Sequence, residues 1–159
     1  MRSLPNPTAI VSTSLASYVA PCDLLRVENV SNIFKHQIAN TQFMQPLSNE
    51  RCVACHPNST RVTAYEIVQL KPQVPDWTLL EKNGVPQIER TYEFPDCKSA
   101  IAFTNRVGEV AENEGHHPAL LTEWGKVTVT WWTHAISGLH RNDFIMAAKT
   151  DAIANQFAT

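Results

Sequence analysis

Apolar positions recur along this chain first at helical spacing and then in alternation, twice over, and that rhythm predicts its elements. In residues 62–70, Thr63 and Glu66 form a capping-box pair ahead of a short apolar face of Tyr65, Ile67, Val68 and Leu70. Pro72, which lacks a backbone N–H, stops that helix. Two strand-like stretches follow, residues 76–81 and 86–94, joined by Lys82-Asn83-Gly84, whose Asn-Gly pair signals a tight hairpin. Asp96 can cap a helix running to about Asn113, with Ala100, Phe103, Val107, Val110 and Ala111 as one buried stripe. Gly115 stands where a left-handed terminator belongs, so His116 and His117 emerge just past a helix end. Residues 119–123 and 126–133 make a second hairpin around Trp124-Gly125. In its second strand Val127, Val129 and Trp131 face one way. Thr128, Thr130, Trp132 and His134 face the other, if the strand stays regular to its end. The last helix begins near Asn142 and carries Phe144, Ile145, Ala148, Ile153 and Phe157. The order αββαββα predicts an α+β domain, a four-stranded antiparallel sheet packed by three helices on one face.

Residues 1–43 break the pattern. They are rich in Ser, Thr, Asn and Ala, carry few charges, and keep no sustained period. They are read as a poorly ordered N-terminal extension, with the compact domain spanning residues 44–159. A targeting segment, a simple extension and a start-codon artefact all remain open for them, although Arg2 and Arg26 are too few for the usual basic amphipathic transit helix.

Composition narrows the function classes. A net charge of −2 argues against a general nucleic-acid binder, which needs a basic surface. No apolar run approaches the roughly 18–20 residues needed to cross a bilayer, so a soluble, cytoplasmic protein is expected. Four cysteines do not make a dense disulfide framework, which favours a reducing compartment. Cys52-Val53-Ala54-Cys55-His56 matches the C-x-x-C-H haem-attachment spacing, but no credible secretory signal precedes it and no second zinc-ligand pair follows. Two reduced thiols are the plainer reading.

The densest polar chemistry lies in residues 112–143. His116, His117 and His134 fall within nineteen positions of one another, beside Glu112, Glu114 and Asp143. Imidazole titrates near neutrality, so the cluster suits proton transfer. Zinc is the rival reading, yet adjacent histidines on an extended or turning backbone point apart, which makes His116 and His117 poor ligands for one ion.

Glu112-Asn113-Glu114-Gly115-His116-His117-Pro118, then Trp124-Gly125-Lys126-Val127, then Thr133-His134 through Gly138-Leu139 to Asp143, resembles the pterin-4a-carbinolamine dehydratase family. The resemblance covers roughly residues 47–157 and includes Pro75-Asp76-Trp77. It implies dehydration of 4a-hydroxytetrahydropterin to the quinonoid dihydropterin, as a carbon–oxygen lyase recycling the pterin of an aromatic amino-acid hydroxylase. It implies His116 and His134 as the acid–base pair, Glu112 as the group that orients a neighbouring imidazole or raises its pKa, and His117 as a pterin holder. Thr133 and Asp143 fall beside the substrate. Thr133 shapes the strand end rather than reacting, and Asp143 stays open between a site role and a first-turn acid of the last helix. No metal or cofactor is implied, the pterin being substrate. A homodimer or homotetramer is expected, since one sheet face and the edge strands need cover. His140 departs from the Ser or Thr usual at the helix cap, so it either blunts the helix start or lines the pocket rim. Of Trp131 and Trp132, one is expected in the core and the other at a subunit contact or pocket wall. The alternative is a non-catalytic interaction protein, a transcription-factor dimerization cofactor or an enzyme-assembly factor. Such assembly factors generally have an eroded histidine set, and all three histidines stand here.

Overall fold

The computed structural model describes residues 45–157; the expectations for residues 1–43 lie outside them. Thr63 accepts from the Glu66 N–H while Glu66 holds the Thr63 N–H, and this box opens helix α1, Ala64–Leu70. A single 3-10 turn, Lys71–Gln73, carries Pro72 and ends the helical course. Strands β1, Thr78–Lys82, and β2, Val85–Glu93, flank a turn whose Asn83 and Gly84 both have positive φ, as a two-residue hairpin of the right twist requires. Helix α2, Cys97–Glu114, starts on the Asp96 carboxylate, which accepts from the Ser99 N–H. Strands β3, Ala119–Glu123, and β4, Lys126–Trp131, precede helix α3, Arg141–Ala154. All strand pairs are antiparallel, in the order β1-β2-β4-β3. The helices lie over one face, and the α+β order read from the sequence is the observed one.

Register explains the core. Trp131 pairs with Ile88, and Val127 with Tyr92, so β4 and β2 turn the same residues inward. Against them pack Ala100, Phe103, Val107 and Ala111 of α2 and Phe144, Ile145 and Ile153 of α3. Val110, expected in that stripe, is only partly buried at its edge. The outward face is laced by hydroxyls and charges: Thr91 meets Thr128, and one oxygen of Glu89 accepts from both Thr130 and Lys82.

Two expectations need correction. Helix α1 does not bury its apolar face. Leu70 is buried and Ile67 partly so, but Tyr65 and Val68 are exposed, because two helical turns reach the core only through their last residue. Burial of one such side chain contributes about 1.5–3 kcal/mol, so α1 is lightly held. Strand β4 ends at Trp131, not Thr133. Thr133 instead makes an isolated bridge with Gly138, and His134 opens a 3-10 turn, His134–Ile136. The strict alternation therefore stops before His134.

Helix α3 is buried nearly all round, Asn142 to Ala148 without a break. The 3-10 turn Leu47–Asn49 and the irregular strap that follows it cover the side away from the sheet. Glu50 forks onto Arg141, and Asn142 grips Val53 through both its N–H and its carbonyl. Farther along, Val62 donates to the Leu139 carbonyl. At the far end of α3, Asp151 accepts from Trp77, Arg90 and Tyr92 on one oxygen, tying the first hairpin to the helix. Among the described residues no helix is long and apolar enough to cross a membrane.

Candidate active site

Each histidine is placed by an identifiable local device. Helix α2 ends on Gly115 at φ 62°, a left-handed conformation that costs a side-chain-bearing residue about 1–2 kcal/mol. The chain turns there and delivers His116 inward and His117 outward. His116 is buried, its ring stacked at 10° on Trp131, with ring centres 5.6 Å apart. His117 is exposed, with Nε2 2.9 Å from the Glu112 carboxylate. Glu112 therefore sits with His117, not His116. With both side chains in solvent, that pair has little energetic weight.

Asp143 is the centre of the buried arrangement. Its Oδ1 lies 2.7 Å from His116 Nε2. Its Oδ2 accepts from the Thr133 hydroxyl at 3.0 Å and from the His140 N–H at 2.7 Å. A carboxylate offers lone pairs, so a proton on His116 Nε2 satisfies this contact, and Nδ1 is the ring nitrogen turned away from Asp143. Both readings of Asp143 meet in one side chain: as third residue of α3 it completes the capping box, and its other oxygen fixes an imidazole. His140 caps the helix in fact, its Nδ1 accepting from the Asn142 N–H at 3.2 Å. An imidazole thus does the work of the usual hydroxyl, and the helix start is not blunted.

His134 stands on a short loop closed at its base by Thr133 and Gly138. The loop is held from outside by Arg61, whose guanidinium donates twice to the Ile136 carbonyl, at 2.9 and 2.6 Å. A Cβ at Gly138 would lie 2.8 Å from Arg61 Nε, so only glycine lets the guanidinium approach. His134 itself is exposed, its ring centre 4.4 Å from that of half-buried Trp132. Trp131 is the core ring of the pair, fully buried. Arg61, Asn142 and Glu114 were given no role from sequence. Each acts across a long stretch of chain, Glu114 by holding the Cys52 N–H and Lys149, and no local pattern marks such contacts.

Residues 60–153 match the family model described as pterin 4 alpha carbinolamine dehydratase. The chain belongs to that family. A protein of Gloeobacter violaceus, named by inference pterin-4-alpha-carbinolamine dehydratase 1, is 64% identical over 110 residues, which is 69% of this chain and 95% of the relative. One from Microcystis aeruginosa with the corresponding inferred name is 57% identical over 113 residues, covering 71% of this chain and 97% of the relative. Among solved structures, a transcriptional coactivator/pterin dehydratase from Brucella melitensis superposes with a TM-score of 0.54 at 30% identity, over 60% of this chain and 99% of that one. In this family the buried His116–Asp143 pair and the two exposed histidines become a candidate active site.

Proposed function

We propose that this chain is a 4a-hydroxytetrahydropterin dehydratase that works by histidine acid–base catalysis without a metal or redox cofactor. The observation that carries the reading is the Asp143-held imidazole of His116, beside a loop that presents His134 to solvent. The reaction removes a proton from N5 of the pterin and delivers one to the departing 4a-hydroxyl. His116, held at Nε2 by the Asp143 carboxylate, fits the base. His134, on the exposed loop, fits the acid that protonates the leaving oxygen. His117, with Nε2 2.9 Å from Glu112, would hold the pterin ring in this reading. Thr133 acts through Asp143 rather than on the substrate. Service to an aromatic amino-acid hydroxylase, and assembly as a homodimer or homotetramer, belong to the same proposal.

The direct test is the rate of 4a-carbinolamine loss in a coupled hydroxylase assay. Replacing His116 or His134 by Ala should each lower that rate about 10²–10⁴-fold, the scale for a positioned acid or base. The double substitution should lose much less than the product of the two, because both act on one transition state. Turnover near wild type in a folded single variant removes that residue from the mechanism. A second reading is favoured by the Brucella protein, described as a transcriptional coactivator as well as a pterin dehydratase. A protein that co-purifies with a transcription factor and shows no turnover would favour it.

A further inference from the structure

The strap over the start of α3 carries two thiols that the dehydratase reading does not use. Cys52 and Cys55 are both half-buried free thiols, three positions apart in a stretch that is neither helix nor strand. Cys55 Sγ accepts from the Asn142 side-chain N–H at 3.2 Å and lies 3.8 Å from His140 Nδ1. An amide N–H able to stabilise sulfur and the edge of the capping imidazole therefore flank a thiol that burial raises above its ordinary range. Asn142 also grips Val53, between the two cysteines. Among the described residues no three His, Cys, Asp or Glu side chains are grouped to hold a metal ion, so the thiols do not form a ligand set there.

We infer that Cys52 and Cys55 are a dithiol site that closes to an intramolecular disulfide by exchange with a low-molecular-mass disulfide, and that closure loosens the start of α3. Cys55 attacks first. Its proton passes to water, its sulfur bonds to one sulfur of the small disulfide, and the other sulfur leaves as a thiolate. Cys52 then attacks the Cys55 sulfur of the mixed disulfide and displaces the second small thiolate, its proton going to that leaving group. Two protein thiols are oxidised to one disulfide, and one small disulfide is reduced to two thiols. Burial, then the Glu114 charge, push the Cys52 thiol up to about 12, and burial raises Cys55 as well, so both attacks are slow and Cys52, the more strongly raised, is the later one. A thiol so weakly acidic is also a slow leaving group, so the closed bond reopens slowly. The consequence for α3 follows from the contacts. Cys55 shares His140 and Asn142 with the helix cap, and the His140 N–H holds the Asp143 carboxylate that fixes His116.

The test uses the full chain with Cys22→Ser and Cys97→Ser, exposed under native conditions to oxidised glutathione. The expected product has lost the mass of two hydrogens and both remaining thiols, and dithiothreitol restores them. Adding Cys52→Ser should arrest the reaction at a glutathione adduct on Cys55. Backbone amides 140–143 should exchange hydrogen at least about threefold faster in the closed form, a local opening at the helix start. Thiols that stay titratable in a protein with native circular dichroism, or a stable adduct with no closure while Cys52 is present, would overturn the dithiol site. Unchanged exchange at 140–143 in the closed form would overturn the coupling to α3.

Discussion

Asp143 is the residue at which stability and the candidate chemistry cannot be separated. It is fully buried and accepts from three groups, a hydroxyl, a backbone N–H and an imidazole. Asp143→Asn keeps the shape but replaces one accepting oxygen with a donor. If the amide nitrogen turns to His116, Nε2 must become the acceptor and the ring proton moves to Nδ1, the wrong tautomer for a base. If it turns the other way, it meets two donors. Leaving a buried donor unpaired costs about 1–3 kcal/mol. The variant should fold with a lower melting temperature and lose roughly 10²-fold or more in kcat, with KM little changed. Retained kcat in the folded protein would show that Asp143 serves the helix cap alone.

Helix ends and the strap decide where the histidines stand. Gly115→Ala meets no atom within 4 Å, so its penalty is the backbone conformation alone. That penalty is about 1–2 kcal/mol. A loss of 1 kcal/mol lowers the melting temperature of a domain this size by roughly 4–8 °C, which calorimetry would detect. The strap is fastened by Glu114, which accepts from the Cys52 N–H and pairs with Lys149 at 2.5 Å. Burial works against its ionisation, but Lys149 and the Cys52 N–H outweigh burial and hold its carboxyl below the ordinary value of 4.5. A carboxyl held low in the folded state contributes stability that is present above its unfolded value and lost as pH falls through the folded one. The stability gap between wild type and Glu114→Gln should therefore be widest near neutral pH and shrink once pH drops below about 4.5. Denaturant titrations across that range would read it, and a gap independent of pH would assign the contribution to packing.

At the scale of the molecule, the described residues form one hydrophobic core among themselves. We propose that residues 1–43, which carry few charges and no sustained apolar period in sequence, are dispensable for folding and turnover. A chain beginning at Met44 should keep its melting temperature within a few degrees, its turnover, and the light-scattering mass of a dimer or tetramer. Unfolding or dissociation on truncation would make the segment a docked structural part. The outward sheet face is more polar than the Thr128, Thr130 and Trp132 row alone suggests, since Thr91, Glu89 and Lys82 join it. An assembly there would bury hydrogen-bonded side chains rather than a bare apolar sheet.

By itself, the sequence determined the elements, because their signals are local. Thr63 with Glu66, Asn83-Gly84, Asp96 and Gly115 each fix a start, a turn or an end through contacts within a few residues. Alternation in β2 and β4 likewise set which side chains meet in the core. Tertiary structure decided what lies far apart in the chain. Only there does Glu112 fall to His117, Asp143 reach back across 27 positions to His116, and Arg61 clamp the loop of His134. The early end of β4 has the same origin, since the Thr133–Gly138 bridge and Arg61 outweigh the alternation that would have continued it. Helix α3 shows the limit most plainly. A period reveals one buried face, but a strap from the other end of the chain buries the second, and no spacing within α3 records that contact.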